Sequence, residues 1–292
     1  MTCSEWQNLG TYHTVLDHNI FVIDKGTSTQ TVAILHGYPT SSYDFYKVID
    51  QLSDQYRIVL HDHLGFGFSD KPIYEKYSLK TQADIAEKLW QKLKITEVIV
   101  LAHDYGTSVA TELLARHNEG TLKVHLKGLV LCNGSIHIEM AKLRNIQKLL
   151  KSRFLGPIAA KFATQSTFKN NMKSIFYDGD VLTSDELQNM WYLLKQNKGK
   201  KVLPKISQYI NERYTYWDRW IGALKNTDLV ISIVWATEDP VAVKKIAYQL
   251  KSEIQNSRLF LLEKTGHYPM LENPEHWCAL VQKAIDCFDT NV

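Results

Sequence analysis

The sequence predicts an α/β protein: a mostly parallel sheet with helices on both faces and an inserted helical cap. Three observations lead there. Short apolar runs alternate with amphipathic stretches at both ends of the chain, the pattern of parallel strands joined by helical crossovers. The run Val98-Ile99-Val100-Leu101 passes through Ala102-His103-Asp104-Tyr105-Gly106 straight into a helix-like stretch, Thr107 to Arg116. From Ile136 to Lys225 the alternation stops; that stretch is helical in character and holds no clear strand.

Taken in order, Thr11 to Asp24 reads as two short strands around Asp17-His18-Asn19. Thr31 to Leu35 is a buried strand ending in His36-Gly37-Tyr38-Pro39. Asp44 to Leu52 has helical spacing, and Tyr56 to His61 is a strand followed by the loop Leu64 to Pro72. Thr81 to Leu93 is an amphipathic helix, with Ile85, Leu89 and Leu93 recurring every four residues. Glu97 to Leu101 and Leu126 to Leu131 are strands. After the insertion, strands at Leu229–Ala236 and Arg258–Glu263 alternate with helices near Val241–Ile254 and Glu275–Phe288. The expected domains are a core of residues 1–135 and 226–292, and a cap of residues 136–225 over the carboxyl ends of the strands.

The 292 residues suffice for one large core. Apolar content of 45%, charged content of 22% and a net charge of +3 describe a globular protein with no call for nucleic acid. No apolar run approaches the roughly 20 residues that span a bilayer, and Met1 to Thr14 lacks a basic-then-apolar leader. Cys278 and Cys287 fall on one expected helix about 13.5 Å apart, too far for a disulfide, and no CxxC pairing suggests zinc. A cytoplasmic location is the expectation. The cap holds 16 Lys and Arg against 7 Asp and Glu, about +9, which leaves about −6 elsewhere. A solvated lid surface is the favoured reading of that charge; peripheral contact with an anionic membrane is the alternative.

The segment around Asp104 has the layout of a nucleophile elbow, where small residues flank the nucleophile because the backbone turns too sharply for bulk. Serine is usual there; here it is a carboxylate, suited to attack an sp3 carbon and form an ester. Alone, Asp104 could equally be a helix N-cap. Two later segments decide against that. Asp239 follows the strand ending at Ala236, and His267 follows the strand ending near Glu263, giving the chain order nucleophile, acid, histidine. Glu238 is the rival acid. His61 and His63 flank Asp62 as a would-be metal pair.

With these residues in place, the chain resembles the α/β-hydrolase superfamily, in the branch of epoxide hydrolases and haloalkane dehalogenases. It is most similar there to the mesoderm-specific transcript homologue family. The similarity rests on His36 to Asp44, Leu64 to Pro72, His103 to Gly106, Gln208 to Asn211 and Trp220 to Leu224, and it spans nearly the whole chain. The resemblance implies an oxyanion hole built from the N–H groups of Tyr38 and Tyr105, and permits a cis Tyr38–Pro39 bond. Asp239 fits the family's acid position. Some dehalogenases carry the acid after an earlier strand, and Asn133 stands at that position here. His103 shapes the elbow. The strand-to-loop segment that carries His61 and His63 is shared with this metal-free family, so the resemblance implies no cofactor or metal. Tyr209 matches one of two lid tyrosines of the soluble epoxide hydrolases; the other, near Lys151 to Leu155, has no counterpart. Tyr105 and Tyr38 occupy the positions where dehalogenases carry halide-binding Trp and Asn, with Trp191, Trp217 or Trp220 as lid substitutes. His36, Tyr38, Trp191 and Tyr209 are therefore the expected substrate contacts. The expected reaction is attack by Asp104 on a small apolar substrate, then ester hydrolysis by water activated by His267 and Asp239. Epoxide opening ranks first and dehalogenation second. A luciferase-like cofactor-free oxygenase and a non-catalytic ligand-binding protein remain as other classes.

Overall fold

A computed structural model describes residues 1–289. The sheet comprises β1 (Thr11–Val15), β2 (His18–Lys25), β3 (Thr31–Leu35), β4 (Arg57–His61), β5 (Glu97–His103), β6 (His125–Cys132), β7 (Ile231–Ala236) and β8 (Ser257–Leu262). Their order across the sheet is β1-β2-β4-β3-β5-β6-β7-β8. β1 and β2 pair antiparallel at one edge, and every pairing from β4 onward is parallel.

The near-continuous apolar runs follow from burial on both faces. Val98, Val100 and Ala102 of β5 pack into a core shared with α3 (Leu79–Lys92), α4 (Tyr105–Asn118) and α12 (Lys244–Glu253). Their neighbours Ile99 and Leu101 pack oppositely, with α1 (Cys3–Asn8), α2 (Ile49–Ser53), α13 (Pro269–Glu272) and α14 (Pro274–Asp286). The period-two reading of a strand thus sorts one run into two cores.

Two expected helices are shortened, each for a local reason. The stretch expected to be helical from Asp44 to Leu52 is a 3-10 turn, Ser42–Phe45, and then α2. Asp62 takes the Ser42 N–H at 2.7 Å, and Asp44 turns inward to accept the Thr40 hydroxyl at 2.5 Å. The helix expected from Val241 starts only at Lys244, because the Val241 and Ala242 N–H groups are drawn onto Asp239 at 2.7 and 2.9 Å.

Between β6 and β7 lie α5 (Asn145–Leu150), α6 (Leu155–Phe162), α7 (Gln165–Lys173), α8 (Ser184–Lys195), α9 (Gly199–Ile206), α10 (Tyr209–Thr215) and α11 (Trp217–Lys225). Its last helix is anchored on the core. Glu112 of α4 accepts from Arg219 Nε at 2.8 Å and Trp220 Nε1 at 2.9 Å. A second clamp joins Glu186 of α8 to Tyr46 Oη at 2.5 Å and Lys47 Nζ at 2.8 Å. The segment is tied to the core on both sides rather than hung from its ends.

Gly106 fixes how closely α4 approaches β3: a Cβ there would lie 2.1 Å from the Leu35 carbonyl oxygen. Backbone cannot yield cheaply, so Gly106→Ala should lower unfolding free energy by about 2 kcal/mol in urea titrations. Gly222→Ala, where a Cβ meets nothing within 4 Å inside α11, should leave it unchanged or raise it.

Candidate active site

Strand β5 delivers Asp104 into a conformation few side chains adopt, φ 44° and ψ −105°. Such strain persists where the surroundings over-determine it. Gly106 N–H donates to the His36 carbonyl at 3.0 Å, and Thr107 closes the turn on the Asp104 carbonyl through its N–H at 3.1 Å and its hydroxyl at 2.5 Å. The Asp104 side chain is buried.

Asp239 and His267 arrive from the ends of β7 and β8. Four donors saturate the Asp239 carboxylate. Val241 and Ala242 N–H hold Oδ1, while Asn133 Nδ2 at 2.9 Å and His267 Nδ1 at 2.6 Å hold Oδ2. Nε2 of His267 is thereby aimed at Asp104 Oδ2, 3.9 Å away. Glu238, the rival, is exposed and accepts only the Thr237 hydroxyl. Asn133 occupies the alternative acid position, but it donates to the acid instead of replacing it.

Four charged groups meet here. Burial by itself would raise the Asp104 pKa; the His267 charge and the Arg213 guanidinium outweigh it and hold the carboxyl below its usual range. Burial would likewise lower His267, yet Asp239 and Asp104 push it up to about 10. His267 is thus an imidazolium at neutral pH while Asp104 is ionised.

Arg213 escaped the reading of the sequence. It is 1% exposed. Nε donates to Ser108 Oγ at 2.8 Å and Nη2 to the Asp104 carbonyl at 3.1 Å, with Nη2 3.8 Å from Asp104 Oδ1. The guanidinium also lies 4.7 Å over the Tyr209 ring. Tyr209 and Arg213 are four apart on α10 and so share a face; that pairing was the available signal.

Tyr38 N–H donates to Asp104 Oδ2 at 3.0 Å, and the Tyr38–Pro39 bond is cis. Tyr105 opens α4, so its N–H is among those lacking an intrahelical acceptor. The Tyr38 hydroxyl is spent: Ser207 gives its own hydrogen to Leu203 O, so Tyr38 must donate to Ser207 Oγ at 2.8 Å. Tyr209 differs. Gln147 Oε1 takes the Arg144 N–H, which fixes Nε2 as the atom 3.3 Å from Tyr209 Oη. The Tyr209 hydroxyl accepts there, and its own hydrogen remains available. Tyr209 is nevertheless fully buried, packed on the Tyr38 and Tyr105 rings.

An apolar cavity lies above this group. Tyr38, Pro39 and His267 line it from the core, and Phe168, Met172, Trp191, Leu194 and Leu203 from the insertion, with Arg144 and Gln147 also on its wall. Trp191 thus stands where a substrate contact was expected. His36 does not: Nδ1 bonds the Gly37 carbonyl at 2.8 Å and Nε2 accepts the His63 N–H at 3.0 Å. Fully buried and with its pKa driven down to about 4 by burial, His36 braces the loop carrying Tyr38. The His103 ring bonds the His267 carbonyl at 2.7 Å. Trp217 turns away to Glu139, and Trp220 to Glu112. Asp62 spends its oxygens on Ser42 and Phe68 N–H, and His61 and His63 are desolvated and held neutral.

With the fold and this geometry described, comparison with known proteins is direct. The family described as alpha/beta hydrolase fold matches residues 30–274. This chain belongs to that family. It is 39% identical over 271 residues to the putative hydrolase LipZ of Mycobacterium tuberculosis, covering 93% of each chain. It is 35% identical over 279 residues to the mesoderm-specific transcript protein of Mus musculus, covering 92% of this chain and 83% of that one. Among solved structures, haloalkane dehalogenase DbeA from Bradyrhizobium elkani superposes with a TM-score of 0.82 at 18% identity, covering 96% of this chain and 98% of the other. Epoxide hydrolase CorEH does so at 0.77 and 15%, covering 95% and 98%. At those identities the structures share the fold, and the curated relatives support an enzyme of the hydrolase class.

Because the folded pKa of His267 lies above its unfolded value of about 6.5, its contribution to stability is complete below pH 6.5 and is lost as pH rises through about 10. Asp104→Asn removes one of the two carboxylates responsible. Urea unfolding across a pH series should show an alkaline loss that begins at about pH 6.5 in both proteins but is smaller, and ends at lower pH, in that variant than in the parent.

Proposed function

We propose that this hydrolase uses Asp104 as a nucleophile towards an electrophilic sp3 carbon, that of an epoxide on an apolar molecule. The observation that carries this reading is the buried, ionised carboxylate at the elbow, facing a histidine held by a second carboxylate. In the first step Asp104 forms a carbon–oxygen bond while the ring carbon–oxygen bond breaks, and the departing alkoxide takes a proton. Tyr209 is the proposed donor: its hydrogen is uncommitted, and its hydroxyl meets Gln147, which lines the cavity.

The ester then changes the site's charge. Asp104 becomes neutral, so one of the carboxylates that holds the proton on His267 is gone; that proton passes to the phenolate left on Tyr209, and the neutral imidazole can then act as base. Water gives it a proton and attacks the ester carbonyl carbon. Tyr38 N–H, which donates to an Asp104 oxygen in the resting site, would meet the negative charge that develops there. The tetrahedral centre then collapses with cleavage of its bond to the alkyl oxygen, which takes the proton of the re-formed Asp104 carboxyl and leaves as the diol, while Asp239 stabilises the imidazolium that returns.

Dehalogenation is the second reading, favoured by Trp191 on the cavity wall, whose indole N–H makes no hydrogen bond to another described residue. Intact-mass analysis of His267→Gln after exposure to epoxides and haloalkanes separates the two. A gain of a whole epoxide supports ring opening, and a gain of an alkyl group without its halogen supports dehalogenation. No adduct with either class, in a variant that still melts like the parent, overturns both. Tyr209→Phe should slow epoxide opening about 100-fold or more, the usual contribution of a general acid, and leave haloalkane turnover within a fewfold of the parent.

A further inference from the structure

Helix α6 is built inside out. Its small residues Gly156 and Ala160 are buried, and a Cβ on Gly156 would lie 2.4 Å from the Leu150 carbonyl oxygen. Its large apolar residues face water instead. Phe154, just before the helix, is 86% exposed, Phe162 71%, Ile158 55% and Leu155 53%. Phe154, Ile158 and Phe162 recur every four residues, so they form one continuous stripe. Exposed apolar residues scattered singly need no explanation, but a contiguous stripe marks an interaction surface.

The charge around the stripe says what covers it. From Ala141 to Tyr177 there are eight Lys and Arg and no Asp or Glu; from Leu187 to Asn211 there are five Lys and no acidic residue. Lys161, Lys198, Lys200 and Lys201 converge with Pro157 on one depression beside α6. Lys200 donates to the Lys161 and Ala163 carbonyls at 2.8 and 2.7 Å, tying α9 to the end of α6. A second copy of this chain would bring the same positive charge to the contact. An anionic lipid surface satisfies both features: headgroups meet the lysines, and the boundary below them takes the aromatic and aliphatic side chains.

We infer that the α6 stripe and its lysine rim dock this protein peripherally on an anionic membrane. The position of the stripe gives the contact a use. Leu150 and Ala163, at either end of the segment that carries it, both line the active-site cavity. A docked cap sets that apolar cavity beside the lipid phase, where an apolar substrate is concentrated. This inference does not rest on the covalent chemistry proposed above.

The test is flotation of the full chain with vesicles of phosphatidylcholine alone and of phosphatidylcholine mixed with phosphatidylserine. The parent should float with the mixed vesicles, about tenfold or more weaker with phosphatidylcholine alone, and should be released by added salt. Phe154→Ser combined with Ile158→Ser and Phe162→Ser should reduce flotation by a similar factor. Lys161→Gln combined with Lys201→Gln leaves the stripe intact and should reduce only the charge-dependent part. Both variants face solvent, so thermal melting checks that they remain folded. Flotation equal for the parent and both variants, or absent for the parent with the mixed vesicles, overturns the inference. A parent dimer that the triple variant dissolves, seen by sedimentation equilibrium, also overturns it by assigning the stripe to a second copy.

Discussion

Asp104 carries its charge in a place nearly closed to water, and a carboxylate there is tolerable only if positive charge is built in around it. The fold supplies that charge from two directions. His267 comes from the loop after β8 in the core, and Arg213 from α10 in the insertion. With Asp239 the resting count is two carboxylates against one guanidinium and one imidazolium, which is neutral. The arrangement is poised, because any reaction that consumes the Asp104 charge leaves an excess positive charge. The mobile proton on His267 is the one that can leave. One electrostatic constraint thus links the stability of the unreacted site to the change of role its histidine would undergo.

The same constraint explains the backbone. Asp239 cannot hold His267 without being held itself, so it takes the first two N–H groups of what would otherwise be a longer α12. Asn133, at a positive φ of 43°, donates to it from β6. The Tyr38 loop is braced from below by His36 and from the side by Tyr268, whose hydroxyl donates to the Tyr38 carbonyl at 3.3 Å. Asp239, Asn133, His36 and Tyr268 do not line the apolar cavity; they fix the direction of Tyr38 and His267, which do.

What the sequence made legible follows from locality. The elbow, the places of Asp104, Asp239 and His267 just past strand ends, and the alternation of strands and helices are each encoded within a few residues. The elbow shows in the small residues around Asp104, and the strands in runs that are apolar on both faces. Arg213 lies 109 positions beyond Asp104 in a different element, and its one local signal was its spacing of four from Tyr209. The fold brings them together: α11 packs on α4, and α10, which precedes it, sets Arg213 beside the elbow. His36 misled for the opposite reason. Its neighbours Gly37 and Tyr38 do reach the site, but its ring points into the loop they belong to. Asn133 looked like a lost acid when read as a position in a pattern; its amide turned out to be a donor to the acid at the next strand.

The cap divides its charge in a way composition could not reveal. Of its sixteen basic residues, Arg213 alone is buried. It is spent on the Asp104 carboxylate, and the others lie nearer the surface, several beside an apolar stripe that a free lid would be expected to hide. A lid helix needs apolar residues only on its packed side, and α6 carries Gly156 and Ala160 there, against α5 and α9 of the insertion. The bulk on its outer side therefore adds nothing to folding of the chain and costs solubility. Such a stripe fits a surface that something outside the chain removes from water, and the lysines beside it restrict what that can be.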